Sequence, residues 1–488
     1  MRRNVLASMA TTAATVGVGL VTAPMIIAAV GLAGYGVWTV FRAVMVYVAS
    51  AQLGLGPGVQ RFTAISHGEE RQARAARIFW TALLLYSALG SFALVASQLT
   101  AGELVSIFEF PEHLRGDADS MFRLMGVAML LNLQAAAFIN VLQGLERFTA
   151  SAVTTAAASV VFVAAVALLA GPYGLVGLGY AAIAQQAAIM AVGALTLWRT
   201  ISRARPSLMP SHDVRSLVGF SVKVQVAALS TLFNTQTDRL VVGVIAPART
   251  VGQLGLGAQV AEAGRMLGAA AVTALVSRMS VVRGGRGEGD LSALYARISQ
   301  VWIGSVTGVA IIAVASMYPV IASWLGSGYG DAAVFGALLV VGYGLWLITG
   351  PTSAYLRAMG LPGLEARYGA VVVVLNAVLT IALALAIGPL GVVIATVAAY
   401  AAGSTWFFVR VRQRTGLRVL ERPSNWASTL ALAALAAGVS LGWGLLMAGA
   451  LPAPLALLPT GLGTGAVTLG FLAWTGALRR PARSTAAR

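Results

Sequence analysis

Residues 151–198 read SAVTTAAASVVFVAAVALLAGPYGLVGLGYAAIAQQAAIMAVGALTLW, a stretch without a single charged side chain. It is long enough for two helices of the roughly 20 residues that cross a hydrocarbon core of about 30 Å. The segment Gly171-Pro172-Tyr173-Gly174 divides it and predicts a tight reversal of the chain. Residues 151–198 therefore predict a pair of transmembrane helices.

The same pattern continues over the whole chain. Of the 488 residues, 58% are hydrophobic and only 10% are charged, which is typical of a polytopic membrane protein. We predict an all-α protein with about 14 transmembrane helices, near 5–30, 36–60, 78–99, 120–143, 150–170, 175–198, 217–246, 251–278, 299–321, 331–355, 367–387, 391–411, 425–449 and 455–478.

The basic side chains predict the orientation in the membrane. Of the 33 Lys and Arg residues, 26 fall on one side of the predicted helices, whereas the other side carries only Arg115 and Arg249. Under the positive-inside rule, the arginine-rich side faces the cytoplasm. Because the number of helices is even, we predict that both termini are cytoplasmic and that the protein lies in the cytoplasmic (inner) membrane of a bacterium.

The arginine-rich loops on the cytoplasmic side also explain the net charge of +17. Basic cytoplasmic loops normally face anionic lipid headgroups, so the charge gives no reason to expect a nucleic-acid partner. The outer loop 100–119 is the acidic exception, and we interpret it as a solvated loop or, alternatively, as a vestibule that attracts ions.

The sequence gives no sign of a metal site or an enzyme. It contains no Cys, and its three histidines, His67, His113 and His212, lie far apart in predicted loops. The only lysine, Lys223, does not lie in a phosphate-binding P-loop, and no loop is long enough for a nucleotide-binding domain. We therefore expect no cofactor, no ATP hydrolysis and no catalytic residues.

An internal repeat predicts the domains. A shift of 217 positions superimposes 171–176 on 388–393 and 61–63 on 278–280, and with slight slippage 144–148 matches 363–368. Parallel repeats of six helices are typical of carriers with a substrate cavity between two lobes. We predict an N-lobe over 1–210 with helices 1–6, a C-lobe over 211–424 with helices 7–12, and helices 13–14 with a basic cytoplasmic tail over 425–488.

Seven charged residues lie in the interior of predicted helices. A charge at the centre of the bilayer costs about 2.5–3.5 kcal/mol on insertion scales, so most of these side chains should face protein or water. Arg123 is close enough to the outer end of its helix to reach water, whereas Arg265 lies near the midplane. The seven residues are Arg42, Arg123, Lys223, Asp238, Arg239, Glu262 and Arg265.

The seventh predicted helix carries a polar stripe. At about 100° per residue, Lys223, Ser230, Asn234 and Asp238 fall on one face of the helix. Such a stripe either lines a cavity or forms hydrogen bonds with neighbouring helices, and both interpretations remain open.

Two segments resemble the polysaccharide-transport flippases. Residues 34–38 (GYGVW) are similar to a glycine and aromatic turn that follows the first helix of that family. Residues 238–243 (DRLVVG), followed by 251–254 (VGQL), are similar to its element at helices 7 and 8, except that Leu254 replaces the usual Tyr. The resemblance covers about residues 1–415, and the family shares a superfamily with multidrug-and-toxin extruders and lipid II flippases.

The resemblance implies both a fold and a function. The fold is MATE-like, with two six-helix bundles related by a pseudo-twofold axis and two further C-terminal helices. The function is ATP-independent translocation of an undecaprenyl-diphosphate-linked oligosaccharide from the cytoplasmic to the periplasmic leaflet. A lipid II flippase and a MATE-type cation or drug antiporter remain alternatives, although an antiporter should carry buried acids in both lobes and helices 1–6 contain none. A structural scaffold would not need Arg265 near the midplane.

The buried cations predict a binding site for an anionic headgroup. Arginine is well shaped for diphosphate oxygens, and cations spread through the membrane would hold the headgroup in both the inward-open and the outward-open state. The alternative for each cation is a structural role in capping helix carbonyls. The predicted substrate-binding residues are Arg42, Lys223, Arg265, Arg239, Ser230 and Asn234.

The two buried acids predict where an ion would couple to transport. If H⁺ or Na⁺ is a counter-ion, it should use Asp238 or Glu262. Alternatively, these acids only balance Arg239 and Arg265, because Glu262 and Arg265 are spaced i,i+3 on a helix. The expected partners are the lipid-linked glycan, the lipid bilayer, and a glycan polymerase or glycosyltransferase.

Overall fold

The computed structural model describes residues 2–50, 54–65, 70–202, 207–286, 288–417, 426–453 and 455–475, and within 2–16, 70–72, 199–202, 222–235, 285–286 and 288–289 it describes the backbone alone. These residues form α-helices joined by short connections. The helices are α1 (Arg2–Ser50), α2 (Leu55–Ala64), α3 (Glu70–Ile107), α4 (Glu112–Gly144), α5 (Phe148–Ser202), α6 (Ser211–Ile245), α7 (Ala248–Arg286), α8 (Glu288–Leu325), α9 (Gly330–Ile348), α10 (Gly350–Ala358), α11 (Gly363–Ile387), α12 (Pro389–Thr415), α13 (Trp426–Ala450) and α14 (Leu457–Trp474).

The helices account for the predicted transmembrane segments. Within the described residues, 11 helices are long and apolar enough to cross a membrane when α9 and α10 are counted as one. Two of them, α1 and α5, are interrupted by a non-helical glycine. Helix α5 contains two predicted segments, whereas α1 contains the first segment and the part of the second, 36–60, up to Ser50, and the end of that second segment lies in α2. Helix α6, which is not among these helices, corresponds to the seventh segment. The prediction of about 14 transmembrane helices is therefore confirmed.

Glycine makes the reversals between paired helices possible. Gly31 has φ 71° and ψ 174°, Gly174 has φ 57° and ψ −133°, and Gly388 has φ 68° and ψ −146°. Side chains with a Cβ rarely adopt positive φ, whereas glycine does so readily. The reversals predicted at 171–174 and 388–391 are confirmed.

The internal repeat is present at the reversals that contain Gly174 and Gly388, but its shift in sequence differs from the predicted one. Gly174 corresponds to Gly388, 214 positions later, because both adopt the same backbone conformation. The predicted shift of 217 positions superimposed Gly-Pro pairs. It is wrong here by three residues, because Pro172 precedes the reversal whereas Pro389 directly follows it.

Close packing after the reversal supports the corrected shift. A Cβ on Gly177 would overlap the carbonyl oxygen of Leu169, and a Cβ on Gly391 would overlap that of Leu383. Gly177 and Gly391 are again 214 positions apart, and so are Leu169 and Leu383. The two reversals therefore bring their helices together in the same way.

Helices α4 and α10 also end alike, at the same separation in sequence. Each end carries a residue with positive φ, Glu146 with 62° or Gly360 with 75°. Two backbone hydrogen bonds of 2.9–3.1 Å close each end. At the end of α4, the N–H groups of Glu146 and Arg147 donate to the carbonyl oxygens of Gln143 and Leu142, and at the end of α10, those of Gly360 and Leu361 donate to Arg357 and Leu356. This is the Schellman arrangement, which satisfies the last carbonyls of a helix.

The chain divides into two compact units, 1–255 and 256–488, so the division falls within α7. In the first unit, buried side chains of α2, α3 and α4 form a core with the beginning of α6, including Val59, Phe79, Met129, Val141 and Leu217. The lobe boundaries predicted at 210/211 and 424/425 rest on the sequence repeat and stay predictions.

In the second unit, α13 and α14 are attached to α8 through hydroxyl groups. Hydrogen bonds of 2.7–3.1 Å join Ser316 to Ser440, Ser440 to Thr464, Ser323 to Thr460, and Ser305 to Thr475. A Cβ on Gly308 would overlap the ring of Phe471, so these helices approach closely. Small and hydroxyl-bearing residues are typical of helix packing in membranes.

Candidate functional site

The first family-like segment, 34–38, packs against α7. Gly36 has no room for a side chain, because a Cβ there would overlap the carbonyl oxygen of Ala248. A Cβ on Gly252 would lie 2.7 Å from the carbonyl oxygen of Leu32. The neighbouring Trp38 is 5% exposed and stacks on Phe41 at 5.6 Å. The two segments that carry the family resemblance therefore meet each other in a close helix contact within the first unit.

The glycine that ends the 238–243 segment has a similar role. A Cβ on Gly243 would lie 2.9 Å from Val40 and 3.1 Å from the ring of Phe108. The backbone N–H of Glu109 donates to the carbonyl oxygen of Gly243 at 3.2 Å. The connection after α3 thus packs against the end of α6. These motif glycines build the scaffold, and the candidate binding residues are the polar side chains between them.

Arg42 lies on the second half of α1 and is exposed on the first unit, although Phe41 and Ala43 on either side of it are buried. Five residues further along α1, the hydroxyl oxygen of Tyr47 lies 2.6 Å from that of Thr237 on α6. This hydrogen bond joins α1 to α6 next to two of the predicted site residues, Asp238 and Arg239.

Asp238 is the most buried of the predicted site residues whose side chains are described, with 6% of its surface exposed. It directly follows Thr237, whose hydroxyl oxygen lies close to that of Tyr47. Arg239 is partly buried, and its Nη1 donates to Oε1 of Gln236 at 2.7 Å. Residues 236–239 therefore combine an acid, a guanidinium, an amide and a hydroxyl within one turn of α6.

The rest of the polar stripe lies outside the described side chains. This applies to Lys223, Ser230 and Asn234, of which the structure gives the backbone alone, within α6. Their assignment to the binding site stays a prediction.

In the second unit, Arg265 lies on α7 beside two aromatic rings of α9. Its guanidinium carbon is 5.4 Å from the centroid of the Tyr343 ring and 6.0 Å from that of Trp346. Among the described residues, no acceptor forms a hydrogen bond with its buried Nε. Glu262, three residues earlier on α7, is also partly buried. Arg265 is thus a cation held against ring faces, with N–H groups suited to an anion.

The structure groups some predicted residues with others that were not predicted. In the first unit, Asp238 directly follows Thr237, whose hydroxyl group bonds to that of Tyr47, and Arg239 donates to Gln236. In the second unit, Arg265 lies beside Tyr343 and Trp346. Sequence reasoning missed the four neighbours Tyr47, Thr237, Tyr343 and Trp346. Their only signal was a polar or aromatic side chain within an apolar helix, which does not indicate a particular partner.

Arg123 is separate from these groups. It pairs with Asp119, with 2.8 Å between Nε and Oδ2, and donates through Nη1 to the carbonyl oxygen of Gln98 at 2.8 Å. Its side chain is 45% exposed, so it lies at the surface. Within the part of the chain that is described, no three His, Asp or Glu side chains are placed to hold a metal ion.

A sequence model of one protein family matches more than half of the chain. The family is described as "Polysaccharide biosynthesis protein", and the match covers residues 1–282. No curated protein matches the chain.

Solved structures share the fold at low sequence identity. The lipid II flippase MurJ in an inward closed conformation is 15% identical with a TM-score of 0.70, over 97% of this chain and 99% of that chain. An inward-facing multidrug resistance MATE family transporter of the MOP superfamily is 14% identical with a TM-score of 0.68, over 81% and 93%. A MOP superfamily transporter from Pyrococcus furiosus is 15% identical with a TM-score of 0.53, over 85% and 96%. These similarities confirm the predicted MATE-like fold.

Proposed function

We propose that this chain, which belongs to the polysaccharide biosynthesis protein family, flips an undecaprenyl-diphosphate-linked oligosaccharide across the membrane. Its family and its transporter fold make it a membrane transporter. The proposal concerns the substrate and the route, from the cytoplasmic to the periplasmic leaflet by alternating access and without ATP.

The observation that carries the proposal is the environment of Arg265. An arginine deep in a membrane protein is costly unless its charge and its N–H groups are used. Here two ring faces lie against the guanidinium, and its Nε lacks an acceptor among the described residues. A diphosphate offers oxygens in the geometry that a guanidinium fork binds best. Arg42, Lys223 and Arg239, with Ser230 and Asn234, are proposed to provide further contacts.

Ion coupling is a second part of the proposal. Asp238 is buried and directly follows Thr237, whose hydroxyl oxygen lies 2.6 Å from that of Tyr47, and a buried carboxylate near hydroxyl groups is chemically suited to a proton or a sodium ion. Glu262, which is partly buried on α7, is the second candidate acid. We assign the coupling of H⁺ or Na⁺ movement to one of these two carboxylates.

The distribution of basic residues supports a cellular setting for this activity. The 26 basic residues on one side favour a bacterial cytoplasmic membrane with both termini in the cytoplasm. A flippase placed there would receive its substrate from a glycosyltransferase and deliver it to a glycan polymerase, which are the proposed partners.

A lipid II flippase is the second candidate, and its support is the similarity to MurJ along 97% of this chain. Both substrates share the diphosphate headgroup and differ in the attached sugars and peptide. Flipping assays in vesicles that contain either lipid II or a lipid-linked oligosaccharide without peptide would separate the two. A MATE-type cation antiporter predicts neither activity.

The experiment that tests the proposal removes three of the cations together. In cells that depend on this protein for glycan export, we expect the variant Arg42→Gln/Lys223→Gln/Arg265→Gln to insert and accumulate normally while export of the lipid-linked glycan falls at least tenfold. The matched control is Arg123→Gln, which removes a charge that already pairs with Asp119 at the surface. It should leave export unchanged.

Two outcomes would contradict the proposal. Normal export by the triple variant would exclude a headgroup site formed by these cations, and loss of the protein from the membrane would show that they are structural. In vesicles, the variant Asp238→Asn/Glu262→Gln tests the coupling, because flipping should no longer respond to an imposed H⁺ or Na⁺ gradient. An unchanged response would remove both acids from the mechanism.

A further inference from the structure

The side chain of Arg265 is supported by aromatic rings. Tyr343 and Trp346 are one turn apart on α9, and both rings lie within about the 6 Å over which a cation is attracted to a ring face. The attraction comes from the negative face of the ring and requires no formal charge. The rings therefore stabilise the guanidinium without occupying its N–H donors.

The segment of α9 that carries both rings is held in place within the second unit. Tyr343 is 4% exposed and meets the ring of Tyr400 on α12 edge-on, with centroids 6.5 Å apart. Next to Trp346, the carbonyl oxygen of Leu347 accepts a hydrogen bond of 2.7 Å from Nε1 of Trp302 on α8. Contacts from two other helices thus fix the segment of α9 that presents both rings.

Helix α7 is held close to the same segment. A Cβ on Gly268, three residues after Arg265, would lie 2.5 Å from the side chain of Leu347. The missing side chain at Gly268 therefore allows α7 and α9 to approach one turn from Arg265. This close packing sets the distance between the guanidinium and the rings.

We propose that Tyr343 and Trp346 are positioning residues, which hold the face of the Arg265 guanidinium and direct its N–H edge towards the diphosphate oxygens of the substrate. A carboxylate in their place would take up the N–H donors and compete with the substrate, whereas a ring face leaves them available. This inference rests on the proposed function, because it assumes that Arg265 contacts the diphosphate.

The test uses the purified full-length protein in detergent, with farnesyl diphosphate as the probe and farnesol as its uncharged reference. Replacing a ring by an aliphatic side chain, in Tyr343→Leu or Trp346→Leu, should weaken farnesyl diphosphate binding about two- to thirtyfold, the usual range for a lost cation–π contact. Farnesol binding should not change. Tyr343→Phe and Trp346→Phe keep a ring face and should keep most of the affinity.

A double-mutant cycle with Arg265→Gln separates positioning from a general structural effect. Once Arg265 is removed, loss of either ring should lower the affinity for farnesyl diphosphate no further, because the rings act only through the guanidinium. The matched control is Tyr368→Leu, which removes another tyrosine that is 4% exposed in the same unit and packs against Phe407 with its ring tilted. It should leave the preference for the diphosphate intact.

The outcomes distinguish this inference from the proposed function. If Arg265→Gln weakens binding but the ring variants do not, the positioning role is overturned and the diphosphate site stands. The positioning role is also overturned if the ring variants lower the affinity for farnesyl diphosphate equally with and without Arg265. It is overturned as well if Tyr368→Leu lowers that affinity as much as the ring variants do. If the wild-type protein does not prefer farnesyl diphosphate to farnesol and Arg265→Gln changes nothing, the proposed function itself fails.

Discussion

Two helix junctions have the same backbone conformation but different side chains. One lies between α4 and α5, and the other lies 214 residues later, between α10 and α11. Both have the Schellman hydrogen bonds and a residue with positive φ. At the first junction the left-handed residue is Glu146, whereas at the second it is Gly360. The geometry of the turn is thus retained while its residues change.

The polar groups around the two junctions differ as well. Near the first junction, neutral side chains hydrogen-bond to one another, with Gln60 donating to Asn140 at 3.0 Å and Asn140 donating to Tyr86 at 3.2 Å. The second is bordered by an ion pair, in which two nitrogens of Arg357 each donate to Glu365 at 2.7 Å. The repeat preserves backbone geometry, and each half stabilises it with its own chemistry.

The largest expected effect comes from the close glycine contact that occurs once in each half of the repeat. Gly177→Ala and Gly391→Ala should each lower the free energy of unfolding by about 3 kcal/mol, because a Cβ would overlap the carbonyl oxygen of Leu169 or Leu383. Titration with SDS in mixed micelles would measure this. Gly171→Ala is the control, since nothing lies within 4 Å of a Cβ there. A large loss at only one of the two glycines would contradict the shift of 214 positions.

The sequence predicts the number of helices well, because apolar length is a local property. It predicts the repeat less accurately. The Gly-Pro pairs at 171 and 388 suggest a shift of 217 positions, although the left-handed glycines are Gly174 and Gly388. A motif match records residue types, whereas the turn depends on which glycine adopts positive φ. That choice is made by the packing of the two helices after the turn, which involves residues outside the motif.

The next prediction compares the neutral network with the ion pair. Asn140→Leu should lower the free energy of unfolding by about 2 kcal/mol, because it leaves the partly buried Gln60 amide and the buried Tyr86 hydroxyl without this partner. Arg357→Gln should cost less than about 1 kcal/mol, because the Arg357 side chain is 49% exposed and surface ion pairs contribute little. The same titration measures both variants. Equal losses would show that the two junctions depend on their polar groups to the same extent.

The candidate site could be predicted only in part. Charges in the interior of helices identify Arg265 and Asp238 from the sequence, because such charges are costly in a membrane. The sequence could not show that Tyr343 and Trp346 lie beside Arg265. Which face of α9 meets α7 depends on close contacts such as that of Gly268 with Leu347, and these join residues far apart in the chain.

The smallest effect is expected when the residues with positive φ at the two junctions, Glu146 and Gly360, are exchanged. A residue with a Cβ in this left-handed conformation costs about 1–2 kcal/mol, so Glu146→Gly should raise the free energy of unfolding by about 0.5–1 kcal/mol after the greater freedom of glycine in the unfolded chain is subtracted. Gly360→Glu should lower it by a similar amount, and since nothing lies within 4 Å of a Cβ at Gly360, the strain of positive φ is the only expected cause. A combined variant should be close to wild type in the SDS titration, because the two junctions are separate sites whose effects add. If Glu146→Gly is destabilising, the exposed Glu146 side chain must stabilise the first junction by more than the strain that it imposes.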